Sequence, residues 1–426
     1  MSDLTVELLP HGSTPTDAAA TSYGWPAIPG RTDTLRTDLG WSQAELGAAL
    51  PAAKDLLRVV TAAYVADRAA RQPDLKLARM LDLIVHVEQP DLWTTDARER
   101  VVDLLHWLTG DDWGLRCVGA TSVPPGPPQQ LGLPTTDDVA LLSGGLDSFC
   151  GAVIRARQPG TVKFLGHADT STAVRHAQQR LQQHFGSLTP PRPYEQYALR
   201  PRTTVRNRVP KTRSMLFMAM GVAAATASGA ARVLVPENGF TSINPPLEPS
   251  RGGVMTTRST HPWTFHSIAG LLAALGLGHL SVVNPHADLT KGELVKQALS
   301  GGPKELLDLA AETVSCAKIN AGRPPGGNSN TQCGLCVACL VRRAAFIAAG
   351  VPDATPYAGV GTSAVARHTQ RVRRHDIDAW RAATDPAGGI PEYRVLGSGM
   401  WPPGTDFDAV LALCHRGLKE LSRVPA

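Results

Sequence analysis

No stretch of this sequence approaches the ~20 uninterrupted apolar residues that a membrane-spanning helix needs. The longest apolar run, around Met215 to Ala227, is alanine-rich and broken by Gly221. The opening residues, MSDLTVELLPHGS, hold no basic segment followed by an apolar one, so no secretory signal is expected and the chain reads as cytosolic. A dense basic patch is also missing. The formal net charge of +5 is mild for 426 residues; it suits an anionic small molecule and does not announce a nucleic-acid binder. In a cytosolic chain the seven cysteines are not a disulfide framework. Two phosphate motifs are absent as well: the Lys-Ser/Thr of a P-loop and the spaced Gly-x-Gly-x-x-Gly of a dinucleotide fold. No internal repeat is visible.

What is present suits two to three domains. Residues 1–130 read as an accessory α+β region. It opens with the short alternating stretch LTVELL, has helical spacing from Trp41 to Arg71, a strand from Leu81 to Val87, and a helix capped by Thr95 and broken at Gly110. A Pro/Gly-rich linker from Gly119 to Asp138 follows. Residues 136–355 then alternate strands and helices. DVALLS, TVKFLGHA, RVLVPENG and LSVVNPH are apolar strands, with helices between them at Thr172 to Phe185, TRSMLFMAMGVAAATASG and WTFHSIAGLLAALG. That alternation predicts a doubly wound parallel α/β sheet with ligands at the strand C-termini. Residues 356–426 form a C-terminal extension with a basic helix face at Arg371 to Arg374 and a closing helix from Thr405, paired with Asp408.

One junction in the sheet region carries chemistry. Ser143, Gly144, Gly145, Leu146, Asp147 and Ser148 follow a strand and open a helix, where backbone N–H groups and the helix dipole favour an anion. The plain alternative is a strand–turn–helix corner with Ser143 as N-cap. The stretch resembles the SGGxDS signature of the PP-loop ATP pyrophosphatases. That resemblance implies a cradle for the β,γ-pyrophosphate of ATP, with Asp147 helping to place Mg2+.

Four cysteines carry a second signal. Cys316, Cys333, Cys336 and Cys339 include two C-x-x-C steps sharing Cys336. Four soft thiolates fill the tetrahedral shell of Zn2+ and leave no position for water, which marks a structural site. An iron–sulfur cluster or a set of reduced thiols are the alternatives.

The glycine turn and the thiols together resemble the QueC family, the 7-cyano-7-deazaguanine synthases, over roughly Asp138 to Asp353. Within CGLCVACLVRRAAF the family's C-x-x-C-x-x-R pattern is matched with Arg343. NPHADLTKGELV matches its polar loop with Thr290, Lys291 and Glu293, and TRSMLFMAMG matches its arginine-led helix. The fold this implies is of the PP-loop, adenine nucleotide alpha hydrolase-like type. The added N-terminal region and the stretches RNRVPKTRSMLF and VPENGFTSINPP look like the QueC-like proteins of bacterial antiphage systems, most like that of the Qat system.

The resemblance implies that ATP adenylates the carboxylate of 7-carboxy-7-deazaguanine and that an amine then attacks. The amine would be ammonia, or a group on a protein partner from the same defence operon. Lys291, Asp147 and Arg213 are the catalytic candidates, Lys291 by neutralising charge as the α-phosphate is attacked. Glu237, Asn238 and Gly239, at a strand end, are placed to read a guanine-like edge, or to form a plain Asn-Gly turn. Arg206, Arg208 and Lys211 offer further cations, and Arg258, His261 and His266 a place for substrate or partner. The plain reading for both sets is a solvated loop. Met215, Met218 and Met220 read as core.

Overall fold

The computed structural model describes residues 2–425, apart from 33, 42–48, 72–77, 121–134, 169, 205, 206, 208, 209, 248–256, 318–327, 329 and 386–388. Arg206, Arg208 and most of the linker lie outside the described residues.

The chain begins with β1 (Leu4–Pro10), β2 (Thr21–Trp25), β3 (Gly30–Arg31), β4 (Leu35–Thr37) and α1 (Pro51–Ala69). Next come β5 (Met80–Val87), α2 (Asp96–Thr109) and β6 (Asp112–Gly119). The helical spacing read from Trp41 to Arg71 is met by α1 from Pro51, whose fixed φ and missing N–H suit the first turn, while residues 42–48 lie outside the described residues. Strands β1, β2, β5 and β6 pair entirely in parallel, in the order β2-β1-β5-β6. The expected α+β region is therefore built on a parallel sheet: α1 and α2 carry the crossovers into β5 and β6, and a non-helical loop joins β1 to β2. β5 is buried without a break from Leu83 to Val87, as both its faces are covered there. Thr95 occupies the N-cap of α2 but makes no side-chain cap, whereas Gly110 ends the helix at φ +75° as expected.

The second sheet is built from β7 (Asp138–Leu141), α3 (Leu146–Arg157), β8 (Val162–His167), α4 (Thr172–Gly186) and β9 (Tyr194–Tyr197). β10 (Leu199–Pro201) then pairs antiparallel with β4, which also pairs with β3, in a third, three-stranded sheet. The chain continues through α5 (Arg213–Ser228), β11 (Arg232–Leu234), α6 (Gly239–Ile243), α7 (Pro262–Ala274), β12 (Ser281–Val283) and α8 (Lys291–Leu299). Helices α9 (Lys304–Glu312) and α10 (Val337–Ala349) complete it.

All five strands are parallel, in the order β12-β11-β7-β8-β9. β7 is buried along its whole length, as a central strand must be. Its one acid, Asp138, is held by Arg155 at 2.6 Å and Arg232 at 2.6 Å, so no lone charge is buried at the N-terminal edge of the strand. From β7 the chain winds outward through β8 and β9, then crosses back to β11 and β12 on the other side. The winding reverses between β7 and β11, and the crevice beyond their C-terminal ends is where such sheets bind ligands.

The C-terminal extension packs α11 (Ala364–Val372), α12 (Arg374–Thr384), α13 (Glu392–Leu396) and α14 (Phe407–Leu421) against α10 and α6. The last helix is capped by Asp406, which accepts from the Ala409 N–H at 3.0 Å, and not by Thr405. The Thr405 hydroxyl donates instead to the Pro402 carbonyl. Arg373, read as part of a solvated face, is buried. Among the described residues no helix is long and apolar enough to cross a membrane.

Candidate functional site

Ser143, Gly144 and Gly145 turn the chain from β7 into α3. Gly144 sits at φ +91°, and a Cβ there would lie 3.2 Å from the Gln178 side chain. Gln178 donates to the carbonyls of Ser143 (3.3 Å) and His167 (2.9 Å), fastening the turn to α4 and to the end of β8. The N-cap position belongs to Gly145, with no side chain on the first N–H groups of α3. The plain reading with Ser143 as the cap therefore does not describe the turn. Ser143 is exposed, its hydroxyl 3.1 Å from that of Ser148. Uncapped N–H groups beside two hydroxyls suit an anion.

In the first turn of α3, Asp147 meets residues from two other strand ends. Lys291 Nζ donates to Asp147 Oδ2 at 2.6 Å, and both residues are buried. Lys291 is the first residue of α8 and is aimed by a capping box. Thr290 accepts from the Glu293 N–H at 3.2 Å, and Glu293 accepts from the Thr290 N–H at 2.8 Å. Glu420 of α14 braces the same turn, accepting from the Thr290 hydroxyl and from the Gly292 N–H. Glu237, beyond β11, completes a trio with Asp147 and Lys291.

Burial alone would raise the Asp147 pKa, but the Lys291 ammonium and hydrogen bonds from Glu237, Lys291 and Asn238 hold it below the usual value. For Glu237, burial and the Asp147 charge act together and push the carboxyl well above its usual range. Burial opposes the charge on Lys291, yet Asp147 and Glu237 raise its pKa. Within the trio Asp147 and Lys291 therefore pair as carboxylate and ammonium, and Glu237 is the carboxyl that holds its proton to higher pH than an ordinary one.

This state has a measurable consequence. The folded protein keeps the Glu237 proton at pH values where the unfolded chain has released it. The contribution of Glu237 to stability is therefore complete below the ordinary value of 4.5 and is lost as pH rises toward the folded value. Glu237→Gln keeps the neutral shape, so it is expected to raise the melting temperature at pH 8 and to leave it unchanged at pH 4. Equal shifts at both pH values would refute the protonated state.

Asn238 is fully buried and spends its carboxamide inside the protein. It caps α6 by accepting from the Thr241 N–H (2.9 Å) and donates to the Thr241 hydroxyl (2.8 Å). Gly239 serves close packing: a Cβ there would sit 1.9 Å from the Ala287 carbonyl oxygen and 2.6 Å from Leu413. Gly239→Ala is expected to destabilise the protein by roughly 1–3 kcal/mol, read from urea unfolding.

Arg213 opens α5 with its guanidinium 5.2 Å from the Phe217 ring, and Phe217 lines a small cavity with Ser143 and His167. Lys211 points away and donates to the Thr109 carbonyl. Arg258 and His266 line a separate cleft with Trp107, and the buried His261 ring lies 5.4 Å from the Trp107 ring. Met215, Met218 and Met220 are core.

Two residues that the sequence reading passed over stand in the site. Asn284 accepts from the Glu237 and His286 N–H groups (3.2 and 3.1 Å), bracing both loops. His286 is buried where a Cβ on Gly151 would lie 3.2 Å from its Nε2. The motif NPH at a strand end was the available signal.

The four cysteines come together behind the glycine turn, their sulfurs all within 4.8 Å of one another. Cys316 and Cys336 are 4.0 Å apart, and Cys333 and Cys339 are 3.9 Å apart. A tetrahedral zinc with Zn–S bonds of about 2.3 Å holds its sulfurs roughly 3.8 Å apart. The site therefore fits one ion; a cluster of several irons would spread its thiolates farther. Thiol–thiol hydrogen bonding, led by Cys316, lowers the Cys333 pKa and raises that of Cys336, so these thiols share protons unless a cation replaces them.

The arginine locking this unit is Arg342, not Arg343: counting C-x-x-R from Cys339 lands on 342. Arg342 is fully buried and donates to Thr313, Ser315, Ala310 and Thr355, while Arg343 reaches only the Gly334 carbonyl. Next to Cys316, the Val314 N–H donates to the Gly144 carbonyl at 3.0 Å, so the thiol site and the glycine turn share a strap.

Together these features define a parallel α/β protein with an anion-suited turn, a carboxylate–lysine trio at its switch point and a four-cysteine site that could hold zinc. The chain is similar to several proteins named 7-cyano-7-deazaguanine synthase, which supports the QueC family. The one from Cupriavidus taiwanensis is 32% identical over 107 residues, 25% of this chain and 42% of that protein. The one from Magnetococcus marinus is 30% identical over 159 residues, 36% and 60% respectively. The one from Azoarcus sp. strain BH72 is 28% identical over 244 residues, 51% of this chain and 96% of that protein. The match to the first of these spans less than half of its length. No protein-family model matches the chain, and no solved structure matches it significantly.

Proposed function

We propose that this chain is an ATP-dependent enzyme of the PP-loop type that adenylates the carboxylate of 7-carboxy-7-deazaguanine and transfers the acyl group to an amine. The observation that carries this reading is the Asp147–Glu237–Lys291 trio beside the Ser143–Ser148 turn at the sheet's switch point. A carboxylate is a poor acyl donor because oxide is a poor leaving group. Its attack on the α-phosphorus of ATP forms a C–O–P link and releases pyrophosphate. The amine then forms the C–N bond, AMP departs with the oxygen, and the amine loses a proton. Lys291 and the N–H groups opening α3 would hold phosphate oxygens, with Arg213 at the margin. Asp147 is the carboxylate that would help to hold a magnesium ion, and that ion would supply charge neutralisation to the polyphosphate.

The amine in this reading belongs to a partner protein encoded with the chain in a cytosolic antiphage system of the Qat kind. The accessory region supports it, because a compact synthase has no need of residues 1–130. The second reading is a synthase that uses ammonia to make the free nitrile; the match to 96% of the Azoarcus protein favours it.

Incubating the purified chain with ATP, 7-carboxy-7-deazaguanine and the neighbouring gene products distinguishes them. Intact mass spectrometry is expected to show an acyl adduct on a partner, with AMP and pyrophosphate released. Free nitrile with no adduct would select the second reading, and no pyrophosphate under any condition would overturn both.

A further inference from the structure

A cleft of about 790 Å³ opens between α2 and α7, and none of Ser143, Asp147, Glu237 or Lys291 lines it. Three separated parts of the chain build it: Trp107 from α2, Arg258, Trp263 and His266 at and before α7, and Gly399 and Met400 from the C-terminal extension. The volume is that of a small-molecule site.

The charge on its wall has no counter-ion. The Arg258 guanidinium lies 4.0 Å from the centroid of the Trp107 ring, and one N–H reaches the Trp107 carbonyl at 3.3 Å. Its Nε is buried without a partner, and no carboxylate among the described residues pairs with it. Burial lowers its pKa with nothing to oppose the shift, yet an arginine remains charged at neutral pH. A cation drawn out of water with no acid beside it gains most from an anion that arrives from outside. Exposed Asp103 sits on the rim and does not pair with it.

Two aromatic rings line the same cleft. The rings of Trp263 and His266 lie 5.0 Å apart, inclined by 37°, with Trp263 only half-buried and His266 exposed. A second unsatisfied group backs the wall. His261 is 1% exposed, its Nε2 has no partner, and it would lie 3.3 Å from a Cβ on Gly399. Burial, with the Arg258 charge, brings its pKa down to about 4, so it is a neutral ring with a nitrogen to satisfy.

We propose that this cleft is a second ligand site, separate from the Asp147 trio, for a small anion carrying a planar ring, of the mononucleotide kind. Arg258 takes the phosphate, and the Trp263–His266 surface takes the ring. Because the walls come from the accessory region, the sheet and the C-terminal extension, an occupant joins all three.

Calorimetric titration of the full chain with GMP and AMP tests it, with guanosine and inorganic phosphate as the two halves. Saturable binding of a mononucleotide is expected, weaker by roughly tenfold or more in Arg258→Met, which keeps the packing on Trp107 but removes the charge. His266→Ala, at an exposed position, weakens it in the same direction and covers the case in which Arg258→Met fails to fold. The double variant Asp147→Asn/Lys291→Met keeps the GMP binding of the parent, whatever AMP it loses at the trio. Absence of saturable binding at millimolar nucleotide would overturn the proposal. So would binding lost in the double variant but kept in Arg258→Met, which places the nucleotide at the trio, or phosphate alone binding as tightly as GMP, which removes the ring.

Discussion

Lys291→Met is expected to cut pyrophosphate release from ATP by on the order of 10²–10³-fold, and also to lower the melting temperature. The two losses have different causes, and a second substitution separates them. Lys291 neutralises Asp147 at 2.6 Å inside the protein. Removing the ammonium leaves a buried carboxylate uncompensated, a change that costs about 3–5 kcal/mol when one partner of a buried pair is lost. The loss of the ammonium also removes the main cause that holds the Asp147 pKa down. The double variant Asp147→Asn/Lys291→Met buries no charge at this position, so it is expected to recover most of the lost stability. On the proposed reading it does not recover activity, because the ammonium proposed to meet the phosphates is gone. Thermal unfolding and a pyrophosphate-release assay on the parent, both single variants and the double variant close this cycle. If the double variant regains turnover along with stability, Lys291 acts only as a structural counter-ion and the catalytic role falls.

Much of this site was legible in the sequence because it sits where apolar strands stop. DVALLS and RVLVPENG each end in polar residues, and a parallel sheet delivers those residues to one edge. The glycine turn and the Thr-Lys-x-Glu stretch were readable for the same reason: each follows a strand and opens a helix. The pairing between them was not readable. That Asp147 meets Lys291 and shares a proton-bearing neighbour in Glu237 depends on which strands lie side by side, and strand order is a long-range property. The same limit explains the accessory region. β1 and β5 are far apart in sequence, yet Leu4 pairs with Leu81, and only that register reveals a parallel sheet. Asn238 was a different kind of shortfall. Its position two residues before Phe240 and three before Thr241 is a capping pattern, and the carboxamide follows that local rule.

The second large effect is expected at the cysteines. Cys336→Ser, or a strong zinc chelator, should unfold the segment joining α9 to α10 and disable the glycine turn with it. A structural zinc contributes about 10–16 kcal/mol of apparent binding free energy, comparable with the roughly 5–15 kcal/mol by which a whole domain is stable. Residues 318–327 intervene between Cys316 and the other three cysteines. The described contacts run through Gln332, Arg342 and the thiols, and through the Ala358 and Gly359 N–H groups, which donate to the Gln332 and Cys333 carbonyls. The strap from Val314 to the Gly144 carbonyl carries the loss forward, since it holds the turn from the cysteine side while Gln178 holds it from α4. Elemental analysis of the purified chain is expected to give one zinc per molecule, and none in Cys336→Ser. Hydrogen exchange in the variant should rise at the turn before α3 as well as around Cys316, while β1, β5 and β6 keep their protection. A zinc-free chain with unchanged exchange at the turn would mean that the thiols neither hold a metal nor support the phosphate cradle, and the tie between the two sites would be lost.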